Sequence, residues 1–396
     1  MSSAIPFTHP NANAVITQPL LRGAGRSTNT RFIAIAKTNR KISLAVLEQQ
    51  MISTVSGVET LYYDLVSLQD SVGVQERALK AATTLLSDDR EQLRVGNMAP
   101  IEVVRAQALV TASQLAVTQA NSLRQQQENI LRSVLDPLSL TNTTATLKGI
   151  VATDQLSPPP DDPPTPITDL IDYAWVNRPD VRQALLQIKN GELAVAASAK
   201  ERLPEVDVYG AFQTRGTPNA GLVPLGGDPV YAAAALDANS VSGARSAQNY
   251  EIGVQFNLPL QNRVARADNL ADRAELKEQQ LRVTQIKAQV AAQVRNAVIG
   301  LVAARESASA AATSQRFQEA LLAATTESFQ AGMSTNFAVV EQQTYLAQAE
   351  TTAVAARAAW MKAKVQLARA LGDTLQQQGI AVVSPKAKSN SEQSIH

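Results

Sequence analysis

Between about Arg22 and Gln92 the chain contains no proline, and its apolar residues recur at three- and four-residue steps. Val55, Val58, Tyr62, Leu65, Leu68 and Val72 form one such series, and Leu79, Ala82, Leu86 and Leu93 another. This spacing predicts a single apolar stripe along one very long helix. About 70 residues at ~1.5 Å each would span ~105 Å. Few globular cores are that wide, so the uninterrupted run points to a coiled coil or a helical tube.

The pattern breaks at Arg94-Val95-Gly96-Asn97-Met98-Ala99-Pro100. Glycine supplies a left-handed turn residue, and proline opens the next helix at a position that needs no N–H donor. A second helix is predicted from about Ile101 to Leu135, stopped by Asp136-Pro137. The proline-rich stretch from Ser157 to Pro166 reads as a linker or surface loop. A short helix follows over Ile167–Val176, then another from about Arg178 to Arg202.

Strand patterning comes next. Val206, Val208 and Phe212 alternate with Asp207, Tyr209 and Gln213; Tyr250, Ile252, Val254, Phe256 and Leu258 alternate with Glu251, Gly253, Gln255 and Asn257. A shorter alternating stretch, Ala14–Gln18, lies near the start and closes on Pro19. The run Tyr250–Leu258 has the length of a tilted membrane strand, ~9–11 residues, and also suits a half-buried hairpin. After Pro259 the helical pattern returns to about Gln330, striped by Val283, Ile286, Val290, Val294, Ala297 and Leu301. It breaks at Ala331-Gly332-Met333-Ser334, and a last helix runs from about Asn336 to Leu371 before Gly372.

The chain repeats itself. At an offset of 236 residues Gly96 meets Gly332, Val103-Val104 meet Val339-Val340, Gln107 meets Gln343, and Leu131 and Leu135 meet Leu367 and Leu371. Val58 and Leu65-Val66 meet Val294 and Leu301-Val302 at the same offset. An offset of 240 aligns Pro19-Leu20 with Pro259-Leu260, Arg26 with Arg266 and Asn29 with Asn269. The difference is about one helical turn, which keeps the stripe on one face. The unit is strand, proline, long helix, glycine turn, shorter returning helix. Residues 1–155 are read as the first repeat, incomplete at its N-terminal side. Residues 156–177 form a proline-rich connector with a short helix, 178–372 the second repeat, and 373–396 a disordered tail. Because the first copy lacks the helix and strand that precede the second, the chain is expected to start late, without its export signal.

Composition narrows the chemistry. The chain has 396 residues, 36 Lys+Arg against 35 Asp+Glu, no Cys and 2 His. Without cysteine there is no disulfide, thiolate-bound zinc or thiol catalysis. His9 and His396 lie near the termini, so no interior histidine serves acid–base work. The balanced charge offers no basic stripe for nucleic acid. No stretch approaches the ~18–20 continuous apolar residues of a transmembrane helix. Gly23-Ala24-Gly25 lacks the third glycine of a nucleotide loop, Thr28 standing there. Asp88-Asp89 and Asp161-Asp162 read as solvated pairs. An enzyme, a resident cofactor and a metal are not expected.

Six segments of four kinds together resemble the TolC-like outer membrane efflux family. Asn177-Arg178-Pro179-Asp180 is similar to the family's opening of its second repeat, and Arg202-Leu203-Pro204 to its step from helix into barrel. Phe256-Asn257-Leu258-Pro259-Leu260 and Gln18-Pro19-Leu20-Leu21 resemble its strand-to-helix corners. Phe329-Gln330-Ala331-Gly332 and Leu93-Arg94-Val95-Gly96 resemble its helix-tip turns, each followed by Val-Val and Gln at equal offsets. Their order, spacing and duplication carry the resemblance over nearly the whole chain.

The resemblance implies a mainly α protein with a small β part. Long antiparallel helical hairpins would form an α-barrel across the periplasm, and strands would join a trimeric outer-membrane β-barrel. It implies a homotrimer that docks to a periplasmic adaptor and an inner-membrane pump of unknown class and carries small molecules or proteins outward. Ile252, Val254 and Phe256 would face lipid. The adaptor would grip the tips at Val95, Gly96, Gly332, Met333 and Ser334.

Glu102 and Glu341 match the offsets of the family's acidic residues near the closing constriction, where threefold symmetry would gather them into rings that favour cations. The chain departs from the family at Ala338, which is not acidic, and at Ser334, which is not basic. Equally, Glu102 and Glu341 could be solvated first-turn glutamates that complement the helix dipole. A periplasmic coiled-coil scaffold or adaptor without a channel is the rival reading. Paired strands between the long helices separate the two, since a scaffold needs none.

Overall fold

The computed structural model describes residues 11–136, 149–159, 166–216 and 246–381. In chain order the elements are β1 (Asn11–Pro19), α1 (Arg26–Asn29), α2 (Arg31–Arg94), α3 (Pro100–Leu135), α4 (Ile167–Asn177), α5 (Pro179–Glu201), β2 (Glu205–Gly216), β3 (Ser246–Asn257), α6 (Arg263–Gln330), α7 (Asn336–Leu371) and α8 (Thr374–Gln377). The order strand, long helix, returning helix occurs twice. The long helices have 64 and 68 residues, and the two returning helices have 36 each. α2 is the shorter although its copy has four more residues between proline and glycine turn, because α2 starts twelve residues after Pro19 and α6 four after Pro259.

The predicted helix from Arg22 is interrupted at its start. Gly23 and Gly25 adopt left-handed φ of 73° and 99°, which residues with a Cβ avoid. A single turn, α1, follows, and Thr30 closes it with its hydroxyl on the carbonyl of Arg26 at 2.7 Å. The same back-bond recurs at Thr38 and Thr60 inside unbroken helix, and α2 begins one residue later. The other helix boundaries lie within about three residues of the periodic pattern, the start of α6 at Arg263 being the furthest.

The chain divides into two compact units, Met1–Lys41 with Leu185–Arg282, and Ile42–Ala184 with Val283–His396. The units cut across the sequence repeats, because elements from both copies pack side by side within each. In the first unit β1, β2 and β3 form one antiparallel sheet in that order. Asn269, almost fully buried, ties α6 to α5 by donating to the Ser198 hydroxyl at 3.0 Å.

In the second unit, Ile171, Ala174, Val181, Val290, Val294, Val298, Ala370 and Leu371 form one core cluster. Val66, Val74, Leu156, Val354 and Ala358 form another. The predicted α6 stripe supplies Val290 and Val294 to the first cluster, whereas α2 gives the second Val66 and Val74 from outside its predicted series, of which Leu65, Val72, Ala82 and Leu86 are buried. Leu156 is the first residue of the connector, and the stretch 150–156 that leads into it lies against α2. The Gln69 amide accepts from Ala152 N at 3.1 Å and donates to Ile150 O at 2.9 Å, replacing the hydrogen bonds a strand would provide.

The reading of 373–396 as a disordered tail is corrected at its beginning. Gly372 (φ 79°) ends α7, and α8 follows with Thr374 and Leu375 buried. The Thr374 hydroxyl lies 3.3 Å from that of Ser56. An apolar residue and a hydrogen-bonded hydroxyl are enough to anchor this turn. The prolines at 160, 163 and 164, Asp161-Asp162 and the tail beyond Ala381 lie outside the described residues.

Candidate functional site

The sheet separates chemistry by face. Directly opposed residues in an antiparallel pair share a face. The register places Val208 opposite Val254, Val206 opposite Phe256, Gly210 opposite Ile252 and Phe212 opposite Tyr250. Ile16 pairs with Gly210 on that same face. The other face carries Asp207 opposite Gln255, Glu205 opposite Asn257 and Tyr209 opposite Gly253. There the Tyr209 hydroxyl donates to Glu251 Oε1 at 2.9 Å. Its ring lies over Gly253, where an added Cβ would come within 2.7 Å.

The apolar face has no cover from this chain among the described residues. Ile252 is 87% exposed, Val254 68% and Phe256 64%. Surface this apolar is unusual against water unless another phase or chain meets it. β1 and β3 each pair only with β2 within the described sheet, leaving a row of unpaired backbone groups on either side.

Two helix stripes are also left bare. Ile101, Val104, Leu115, Leu123, Ile130 and Val134 lie exposed along one side of α3; Ile299, Phe317 and Leu321 do so along α6. Their spacings are whole numbers of helical turns to within a fraction of one, so each set lies on one face.

The two glycine turns have the same geometry. At Gly96 (φ 81°) the glycine N–H bonds Leu93 O at 3.0 Å and the Asn97 N–H bonds Gln92 O at 2.9 Å. At Gly332 (φ 71°) the equivalent bonds run to Phe329 O at 2.9 Å and from Met333 N to Ser328 O at 2.8 Å. This is the Schellman arrangement, which satisfies carbonyls orphaned at a helix end. The following helices begin differently. Pro100 stands at the first position of α3, removing a donor, whereas the Thr335 hydroxyl caps α7 by accepting from Ala338 N at 3.3 Å. Val95 and Met333 are exposed, and Ser334 is half-buried.

Glu102 lies in the first turn of α3, half-buried, with Oε1 accepting from Arg105 Nη1 at 2.8 Å. The Arg105 guanidinium sits 5.4 Å from the centre of the Phe337 ring on α7. Glu341 is not a first-turn residue: α7 begins at Asn336 and has no acid in its first turn. Its Oε1 accepts from the Tyr345 hydroxyl at 2.8 Å, which pushes the Tyr345 pKa up.

The reading of Asp88-Asp89 as a solvated pair holds for Asp88 and fails for Asp89, which is 0% exposed. Asn336 donates from Nδ2 to Asp89 Oδ2 at 2.7 Å. Burial, and the charges of Asp88 and Glu102, push the Asp89 carboxyl above its ordinary range, and the Asn336 bond opposes them. Asp89 continues the buried stripe of Ala82, Leu85 and Leu86 by one turn, a signal that its neighbour Asp88 obscures. Among the described residues no group of three His, Cys, Asp or Glu is arranged to hold a metal ion, and no helix is long and apolar enough to cross a membrane.

The sequence pattern of the outer membrane efflux proteins matches residues 8–136 and 170–373. The chain belongs to this family. No curated protein matches it by sequence. Among solved structures, a membrane protein from Pseudomonas aeruginosa aligns with TM-score 0.62 at 14% identity, over 92% of this chain and 81% of that one. The open state of the Neisseria gonorrhoeae MtrE outer membrane channel aligns with TM-score 0.62 at 15% identity, over 93% and 81%. The outer membrane protein VceC from Vibrio cholerae gives 0.62 at 13% identity, over 92% and 87%. At these identities the likeness is one of fold.

Proposed function

We propose that this chain is the exit duct of a tripartite efflux system, assembled as a homotrimer in the outer membrane and extending into the periplasm. The observation that carries the reading is the sheet, apolar and bare on one face, polar on the other, and unpaired at both edges. Three strands cannot close a barrel, and open edges are not tolerated in lipid. Copies of the chain satisfy one another, and the bare stripes on α3 and α6 supply helix faces for the same assembly. Ile252, Val254 and Phe256 then meet lipid, and Glu251, Gln255 and Asn257 line water.

In this reading the duct is passive and performs no covalent chemistry. The pump sits in the inner membrane, and an adaptor joins the two by gripping Val95, Gly96, Gly332, Met333 and Ser334. Glu102 and Glu341 form acidic rings at the entrance, with threefold symmetry multiplying each charge. Small-molecule efflux fits the family; export of proteins by a type I secretion system is the other cargo class the same architecture serves. A periplasmic scaffold without a channel is disfavoured, because it has no use for an apolar sheet face.

The test is fractionation and conductance. The protein is expected in detergent-extracted outer membranes as an SDS-resistant trimer that conducts ions across a planar bilayer. A water-soluble monomer with no conductance would overturn the proposal.

A further inference from the structure

Asp89 lies seven residues before the Gly96 turn, and Asn336 four residues after the Gly332 turn, so their hydrogen bond joins the two helical hairpins near their ends. Both side chains are more than nine-tenths buried. Each has one satisfied atom and one orphan. Asn336 Nδ2 and Asp89 Oδ2 bond to one another at 2.7 Å, while Asp89 Oδ1 and Asn336 Oδ1 are buried with no donor. Glu102 Oε2 is a third buried acceptor without a donor.

An ionised carboxylate in this position is poorly served. Among the described residues it has one side-chain hydrogen bond and no cation paired with it, and the charges acting on it are Asp88 on its own helix and Glu102 on α3, both acids. Arg105, the cation beside Glu102, is committed to that carboxylate and to the Phe337 ring. α7 contributes the neutral Asn336 at its start, and its Glu341 is engaged with Tyr345. A buried charge left without a counter-ion is strongly disfavoured unless it is neutralised.

We propose that Asp89 and Asn336 form a proton-binding clasp that holds the two hairpin ends together when Asp89 is protonated and releases them when it ionises. The added proton sits on Asp89 Oδ1 and donates to Asn336 Oδ1. Together with the existing Nδ2–H···Oδ2 bond it closes the eight-membered ring of a carboxylic acid paired with a carboxamide. One proton therefore satisfies two orphaned acceptors, and no other ligand is needed.

The direction of the pH effect follows. The closed clasp holds the Asp89 pKa above its ordinary value of 3.8, and parting the hairpins hydrates the group and returns it there. The clasp's stabilisation is fully present below the ordinary value and is lost as pH rises through the raised one. The hairpin ends separate as pH rises through the raised value.

The role as a gate rests on the duct reading above; the proton site does not. Because the chain has no Cys, Val95→Cys and Met333→Cys place one spin label in each turn on an otherwise thiol-free protein. Distances between labels are measured on the full chain, assembled in lipid, across a pH series. The wild-type background is expected to show a short population in acid that gives way to longer distances toward neutrality. Asp89→Asn, whose amide completes the same ring with an N–H, is expected to keep the short population at every pH. Asn336→Leu is expected to lose it even in acid. A pH-independent distance in the wild-type background, or an Asp89→Asn profile that tracks it, would overturn the clasp. Conductance of the wild type is read separately: labels that part with pH in a protein that conducts nothing would uphold the clasp and reject the duct.

Discussion

The Arg178 guanidinium donates from Nη1 to the carbonyl of Ala370 at 3.1 Å, joining the start of α5 to the end of α7. The same nitrogen reaches Gln293 Oε1 at 2.7 Å, and Nε and Nη2 hold both oxygens of Asp180. Asp180 Oδ1 in turn accepts from Val181 N at 2.9 Å. Arg178-Pro179-Asp180 is thus a structural fastening, which a flexible ammonium cannot reproduce. Arg178→Lys is expected to cost about 1–3 kcal/mol, the range for charge-assisted bonds, read as a lower midpoint in denaturant melts. An unchanged midpoint would reject the assignment.

Gly372 completes that fastening. Its φ is 79°, and a Cβ there would lie 3.2 Å from Arg178 Cα. Gly372→Ala is expected to destabilise by at least about 1–2 kcal/mol, the left-handed penalty alone, since the backbone it meets cannot swing aside. The same melts measure it, and a neutral result would show that the contact relaxes.

The glycine turns test differently, because nothing lies within 4 Å of a Cβ at Gly96 or Gly332. Only backbone strain opposes substitution. Gly96→Asn and Gly332→Asn are expected to be tolerated, since Asn visits the left-handed region. The corresponding Val variants are expected to lose efflux by cells carrying the whole system while SDS-resistant trimers persist. Full efflux by the Val variants would remove the turns from the docking surface.

Ile252→Lys is expected to lose about 2–4 kcal/mol of membrane stability, the cost of a midplane charge on a barrel's lipid face, and to deplete the protein from outer membranes. Gln255→Lys, on the opposite face and paired with Asp207, is expected to fractionate as wild type. Equal behaviour of the two would contradict the assignment of faces.

For the entrance, Glu341→Gln is expected to lower cation selectivity, read as a shift in reversal potential across a salt gradient. Unchanged selectivity would exclude a ring of Glu341.

Much of this architecture is written locally. Heptad-like stripes, alternating strands and left-handed glycines act within a few residues of themselves, so α2, α3, α6, α7 and the sheet were readable from spacing. What was not readable depended on partners distant in sequence. Asp89 looked solvated beside Asp88 because its burial is decided by Asn336, 247 residues away. Thr374 looked like the start of a loose tail because Ser56, 318 residues away, receives it. The late start of α2 follows the left-handed Gly23 and Gly25, which an apolar count does not register. Glu341 was placed correctly on α7, but its bond to Tyr345 changes what the carboxylate can do alone.

The unpaired edges of β1 and β3 carry a consequence for the life of the chain before assembly. A newly made copy exposes two templates for indiscriminate strand addition together with a greasy sheet surface, so its solitary state is a hazard rather than a resting form. If the proposed trimer is its working form, its residence in solution is expected to be brief or escorted, and maturation to have the kinetics of an encounter among copies instead of a first-order collapse.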